Sequence, residues 1–257
     1  MKQVKFLFVA LMAIVMSVSV TSCMNTDNNT QVSDRPIIGK VKENFLNLIF
    51  TSMDGYTFTA KNAVSGTTSI HEGDFIVAAC TYDTEIDMDH TKRTVQASIS
   101  AVEKISGNSL YSTTKAEDTA EQSRYASNRG VICISDYYLQ PAMADNQNLI
   151  IPIQYFAKEK RTSHKFSLVY YTDESELAGK SELTLYLRHN STETKEEEKK
   201  LDFVWRVFNI EGALRAYKEK NGGKYPKQLI IAAETNTTNN DVPKTTTSTT
   251  IDYKFQE

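Results

Sequence analysis

Strict alternation of apolar and polar residues recurs along most of this chain and leaves little room for anything but an all-β fold. Tyr56, Phe58 and Ala60 alternate with Thr57 and Thr59. Val95, Ala97, Ile99 and Ala101 alternate with Thr94, Gln96, Ser98 and Ser100. Further stripes are Phe166, Leu168 and Tyr170; Leu183, Leu185 and Leu187; Leu201, Phe203, Trp205 and Val207; and Ile251, Tyr253 and Phe255. A period of two places each stripe on one face of a strand. The 28 threonines and 13 tyrosines suit a pleated, half-buried surface. Residues 44–50 and 74–82 are almost continuously apolar and read as strands covered on both faces. Met53-Asp54-Gly55 supplies the turn of a tight hairpin. One helix is expected, from Glu211 to Asn221, with Asn209 as its cap and Gly222-Gly223 as its end.

Residues 106–130 form the longest polar stretch within the body of the chain. It separates four or five strands from about seven more. The first group fits a small OB-like barrel over 36–115, and the second a β-sandwich over 125–257. The expected class is therefore all-β, an OB-like barrel followed by a sandwich, with one short helix.

The N-terminus reads as an address. Lys2 and Lys5 precede an uncharged apolar run from Phe6 to Val20, shorter than the roughly 18 residues of a spanning helix. Val20-Thr21-Ser22-Cys23 resembles a bacterial lipobox, in which the peptidase cuts just before a lipid-bearing cysteine. Residues 1–22 are then a lipoprotein signal peptide, Cys23 the lipid attachment site, and 23–35 a polar, flexible tether. Loss of the two leading lysines leaves 27 basic against 32 acidic residues. Such mild acidity argues against a binder of phosphate backbones. Within 36–105, six basic residues face nine acidic ones, so no nucleic-acid partner is expected for the barrel. Cys80 and Cys133 lie in apolar runs and read as separate buried thiols, with a disulfide as the alternative.

Asp54-Gly55-Tyr56-Thr57-Phe58, Glu72-Gly73-Asp74-Phe75, the segment Leu183 to His189 and the strand Leu201 to Ile210 together resemble the NigD-like lipoproteins of Bacteroidetes. That resemblance implies a cell-envelope protein of unestablished activity, and it supplies no catalytic residue. Residue 24 is Met rather than Asp, which by resemblance to lipoprotein sorting does not favour inner-membrane retention, so the outer membrane is the expected location. Bacteriocin immunity is the narrower role suggested by the family name. Asp118-Thr119-Ala120 resembles the O-glycosylation acceptor of Bacteroidetes, which makes Thr119 a candidate modification site.

Candidate chemistry is sparse. Asp83, Glu85, Asp87 and Asp89 could offer oxygens to a cation, but the spacing fails the calcium loop at its sixth and twelfth positions, Met88 and Thr94. They read as a charged hairpin tip. His164 and His189 continue the apolar parity of their strands and would meet if those strands were neighbours, a weak zinc signal. Glu196, Glu197 and Glu198 read as a solvated loop. Hydrolase, zincin, phosphate-loop and dinucleotide signatures are missing. The expected function is a non-enzymatic binding or adaptor lipoprotein with a protein or glycan partner, tied to the membrane by its lipid and needing no cofactor. The alternatives are a glycan hydrolase with an unrecognised carboxylate pair, and a structural piece of a surface assembly.

Overall fold

The computed structural model describes residues 30–32, 36–120, 123–135, 140–158 and 163–255. The signal peptide, Cys23 and most of the tether lie outside these residues. The chain divides into two compact units between Ile105 and Ser106.

The first unit holds β1 (Thr30–Val32), β2 (Ile37–Glu43), β3 (Ile49–Ser52), β4 (Thr57–Ala60), β5 (Phe75–Asp83), β6 (Met88–Asp89) and β7 (Thr94–Lys104). Around the sheet, β5 pairs with β2, β2 with β3, β3 with β4, β4 with β7, and β7 closes back on β5. Only the β4–β7 pairing within that ring is parallel. Numbering the five barrel strands in chain order, the ring runs one, two, three, five, four, which is the OB arrangement. Val41, Phe50, Phe58, Val95, Ala97 and Ile99 fill the interior, and the Phe50 and Phe58 rings stack at 5.2 Å. The alternation in the sequence therefore marks the inward face correctly. The Asp54-Gly55 turn also forms, with Gly55 at φ 86°.

Gly39 lets β2 and β3 approach. A Cβ there would lie 2.6 Å from the Thr51 carbonyl oxygen and would also meet the Phe50 ring. Gly39→Ala is expected to cost about 1–3 kcal/mol, the usual penalty for forcing atoms into a filled core. Urea unfolding followed by tyrosine fluorescence should show it; an unchanged midpoint would mean that the barrel wall is looser than these contacts imply.

The run 44–50 is not one strand covered on both faces. The strand starts at Ile49, and Asn44 to Leu48 form the β2–β3 loop, with Phe45 90% exposed. Asn44 diverts the chain by donating its side-chain amide to the carbonyls of Thr67 and Ile70, at 2.8 and 2.9 Å.

The second unit holds β8 (Ser106–Thr113), β9 (Ala142–Met143), β10 (Asn148–Ala157), β11 (His164–Tyr171), β12 (Glu182–Ser191), β13 (Lys200–Asn209), β14 (Gln228–Ala233) and β15 (Thr247–Asp252). Its helices are the single turns α1 (Lys115–Asp118) and α2 (Glu174–Leu177), and the longer α3 (Glu211–Lys220). The strand order is β15-β14-β12-β11-β8-β13-β10-β9. Ser106 to Asn108 of β8 pair with β13, whereas Ser109 to Thr113 pair with β11. The sheet folds over at β8. Tyr155 on β10 makes ring contacts with His164 and Phe166 on β11 and with His189 on β12, none on a strand adjacent to its own. The two halves thus face each other as a sandwich around Leu149, Ile151, Ile153, Leu168, Leu185, Leu187, Phe208 and Ile231.

Two expectations change here. The stretch 106–130 is not a linker: its first eight residues are β8, so the barrel ends at Ile105 rather than near 115. β8 reads as polar because most of its residues stay exposed while its backbone pairs on both sides. On β13 the sandwich core takes the parity opposite to the expected stripe, although Phe203 and Val207 of that stripe are buried as well. Val204 and Phe208 point inward, and Leu201 is 59% exposed. Asp202 and Arg206 share the inward parity and conceal it in the sequence. The Tyr155 hydroxyl donates to Asp202, and Arg206 lies over the Phe166 ring. The helix forms where expected, but its N-cap position is Ile210, without a side-chain cap; Asn209, one residue earlier, accepts from the Glu211 amide at 3.0 Å. Gly222 and Gly223 take positive φ after the last turn.

Candidate functional site

The densest polar constellation among the described residues is buried in the second unit, at the ends of β11 and β12. These strands are neighbours, with His164 opposite Ser191 and Phe166 opposite His189. His164 and His189 consequently meet, Nδ1 to Nε2, at 3.0 Å. Their proton positions follow from their partners. His189 Nδ1 lies 3.1 Å from the Gly130 carbonyl, which can only accept, so that nitrogen carries the proton. Burial pushes the His189 pKa down to about 3, against the opposing Gly130 hydrogen bond and with help from the nearby His164 and Arg129 charges. His189 is therefore neutral, and its Nε2 accepts a hydrogen bond from His164 Nδ1–H. The other His164 nitrogen, Nε2, faces Glu193 Oε2 at 3.1 Å. Two bare lone pairs would repel at that distance, so one proton is held between His164 and Glu193.

Glu198 lies beside this relay, its side chain fully buried. Its Oε2 accepts from Arg129 Nε at 2.6 Å and from the Asn240 side chain at 2.7 Å. Its Oε1 accepts from the Ser191 hydroxyl at 2.6 Å. Arg129 further donates to the carbonyls of Asn128 and Glu193. The Asn128 side chain bonds the Ser191 backbone as a strand would, donating to its carbonyl and accepting from its amide. The cluster fastens segments 127–130, 191–198 and 240 to the end of the sheet. A second group continues it. Asp118 on α1 accepts from the Tyr171 hydroxyl at 2.8 Å and from Arg188, and Arg188 reaches Glu234 at 3.3 Å. Burial and the Asp118 carboxylate both push the Tyr171 pKa up.

Ligand atoms of His164, Glu193 and Glu198 lie within 4.8 Å of one another, a spacing that a metal ion could use. The donor set fits a metal poorly. Three lone-pair positions of Glu198 are taken, and the Arg129 guanidinium already supplies positive charge at the carboxylate.

No protein-family model and no curated protein sequence matches this chain. Solved structures do. A candidate lipoprotein (BF3042) from Bacteroides fragilis NCTC 9343 superposes with a TM-score of 0.67 at 22% identity, covering 86% of this chain and 99% of that one. This chain has that protein's fold. A protein of unknown function (DUF1344) from Bacteroides vulgatus ATCC 8482 matches at a TM-score of 0.58 and 8% identity, covering 86% and 91%. A NigD-like immunity protein from Bacteroides caccae ATCC 43185 matches at 0.49 and 12%, covering 88% and 94%.

The remaining sequence-predicted residues fall as follows. Cys23 lies outside the described residues. Thr119 is exposed at the end of α1, whereas the Asp118 of its motif is buried against Arg188. Cys80 and Cys133 are free thiols, and burial raises the Cys80 pKa to about 12. The 83–89 carboxylates cap turns. Asp83 accepts from the amides of Glu85 and Ile86, Asp87 from that of Asp83, and Asp89 from those of Thr91 and Lys92. Those amides hold the Asp87 and Asp89 carboxyls below their usual range, with help from the Lys61 and Lys92 ammonium groups paired with them. This is the charged hairpin tip expected from the sequence. Glu198 departs from expectation, because it is buried rather than part of a solvated loop. Arg129, Glu193 and Asn240 carried no signal in the sequence, lying in polar stretches without periodicity.

Proposed function

We propose that this protein is a NigD-like envelope lipoprotein, anchored in the outer membrane through Cys23, that works by binding rather than by catalysis. Its fold, shared over 86% of the chain with the Bacteroides fragilis protein, is the observation that carries this reading. The lipobox at 20–23 and the family-like segments in the sequence add to it. The buried histidines and carboxylates support a structural role, since their bonds tie segments of the sandwich together. No helix among the described residues is long and apolar enough to cross a membrane.

A glycan hydrolase would need two carboxyl groups about 5–9.5 Å apart across an open cleft. A cleft of about 480 Å³ is lined by Asn146, Gln147, Glu211, Arg215, Glu219 and Tyr225, among others. Its two glutamates stand eight residues apart on α3, a rise of roughly 12 Å. That spacing favours a binding groove over a hydrolytic pair. Glycan and protein remain the ligand classes for it, and the acidic balance of the barrel argues against nucleic acid.

Cys23→Ala tests the anchor. The variant is expected to stay unprocessed or to leave the membrane fraction, because stable attachment needs two acyl chains or more. Full sedimentation with outer membranes after a carbonate wash would refute the anchor.

A further inference from the structure

We infer that the cleft beside α3 takes an uncharged saccharide; this rests on the binding reading above and narrows it to one of its two ligand classes. The floor of the cleft is apolar. Leu214 lies there, 3% exposed, and Tyr225 forms a wall, its ring flat against Phe255 at 4.7 Å. Around that floor stand Glu211, Arg215 and Glu219 from α3, with Gln147 from the β9–β10 turn facing them. Glu211, Arg215 and Glu219 recur every four residues, so acid, base and acid follow one another along one side of the helix at steps of about 6 Å. Neighbours at that spacing commonly pair, yet among the described residues none of these three side chains makes a hydrogen bond or an ion pair.

The charges select the ligand. With Lys218, the lining holds two acidic and two basic side chains, so it has no net charge to draw in an anion or a cation. It offers acceptors in the two carboxylates, donors in the guanidinium and the ammonium, and both in the Gln147 amide. A hydroxyl donates and accepts, so a polyhydroxyl ligand satisfies all of these groups without a charge of its own. The C–H faces of a sugar ring suit Leu214 and Tyr225. The Lys218 ammonium lies over the Tyr225 ring at 4.1 Å. That contact is weak at an exposed site and its stem is flexible, so a bound hydroxyl would draw the ammonium off the ring.

A peptide fits the same cleft less well. An extended chain is held through backbone groups at a sheet edge, and the main wall here is a helix whose backbone groups are spent on one another. A helical partner would need an apolar groove, which the row of three charges interrupts. The volume of about 480 Å³ lies within the range of small-molecule sites.

The test follows the amide of Gly223, which lines the cleft, by proton–nitrogen NMR of the mature chain from Cys23 to Glu257. The probes are maltose, laminaribiose and mannobiose, with digalacturonic acid and glycylglycine as charged comparisons. The expected result is a saturable Gly223 shift with at least one neutral disaccharide. Arg215→Ala and Glu219→Ala, both at exposed helix positions, should each weaken it about tenfold, the usual loss of a hydrogen bond to a charged group. Soluble starch, laminarin and mannan separate the sources: a shift with the polymer marks a polysaccharide interior, and a shift with the disaccharide alone marks a free sugar or chain end; either supports the inference. A shift with glycylglycine or digalacturonic acid but no neutral sugar keeps the cleft as a binding site and overturns the saccharide. A sugar-induced shift that survives both substitutions places the sugar elsewhere and overturns it too. If no probe moves Gly223, the saccharide falls and the binding reading passes to a protein partner. Monosaccharide accumulating during the titration would keep the ligand and overturn the reading of binding rather than catalysis.

Discussion

Arg129→Ala should destabilise the sandwich unit by about 3–5 kcal/mol, the usual result of removing one partner from a buried ion pair. The loss is larger than the pair's own worth, because the substitution leaves the buried Glu198 carboxyl without its cationic partner. Glu198 would keep only Asn240 and Ser191, and the carbonyls of Asn128 and Glu193 would lose their donor. Urea unfolding of wild type and variant gives the number. Arg129→Met combined with Glu198→Leu should recover much of it, since two apolar side chains of similar volume need no partner. A double variant as unstable as Arg129→Ala would show that the polar contacts with Asn240 and Ser191 matter more than the charge pair. A single variant within 0.5 kcal/mol of wild type, roughly the scatter of surface substitutions, would mean that water reaches Glu198.

Acidification should weaken the same unit through His189. Its pKa is about 3 in the folded chain, against 6.5 for the free side chain. The unfolded chain therefore binds a proton between those values while the folded one does not. Stability is complete above pH 6.5 and falls as pH drops toward 3, by up to about 1.4 kcal/mol per unit and on the order of 5 kcal/mol altogether. His189→Asn keeps a donor for the Gly130 carbonyl and cannot ionise. It should be less stable than wild type at pH 7 but show a flatter decline on acidification. Parallel curves for the two proteins from pH 7 to pH 4 would remove His189 as the source.

The barrel was legible because its stripes are pure. Val95, Ala97 and Ile99 face the core without interruption, and the Asp54-Gly55 turn fixes the hairpin register. β13 was not, because the two charged residues on its inward face find partners there, Asp202 the Tyr155 hydroxyl and Arg206 the Phe166 ring, and a hydropathy pattern cannot show a partner. The histidine pair could be anticipated from parity alone, since both residues continue the apolar face of their strands. The partners of that pair could not. Arg129 and Glu198 are 69 residues apart in the chain, each in a charged, aperiodic stretch. Nothing local distinguishes a glutamate that will be buried from its neighbours Glu196 and Glu197. The exposed loop tip was misread for a related reason: Phe45 and Leu46 look like core residues until Asn44 is seen to turn the chain out.

The divided pairing of β8 has a consequence for how this protein reaches its final state. β8 is the first strand of its unit in chain order, yet both of its partners come later, β11 after more than 50 residues and β13 after about 90. Both ladders are parallel, and neither can be made by a local hairpin. Such long-range closure gives high contact order and slow folding. The barrel, whose strands are all contained before residue 106, can complete itself while the rest of the chain is still being synthesised. The sandwich has to wait for β13, so a chain cut short before that strand would expose an unclosed β8 and be marked for proteolysis.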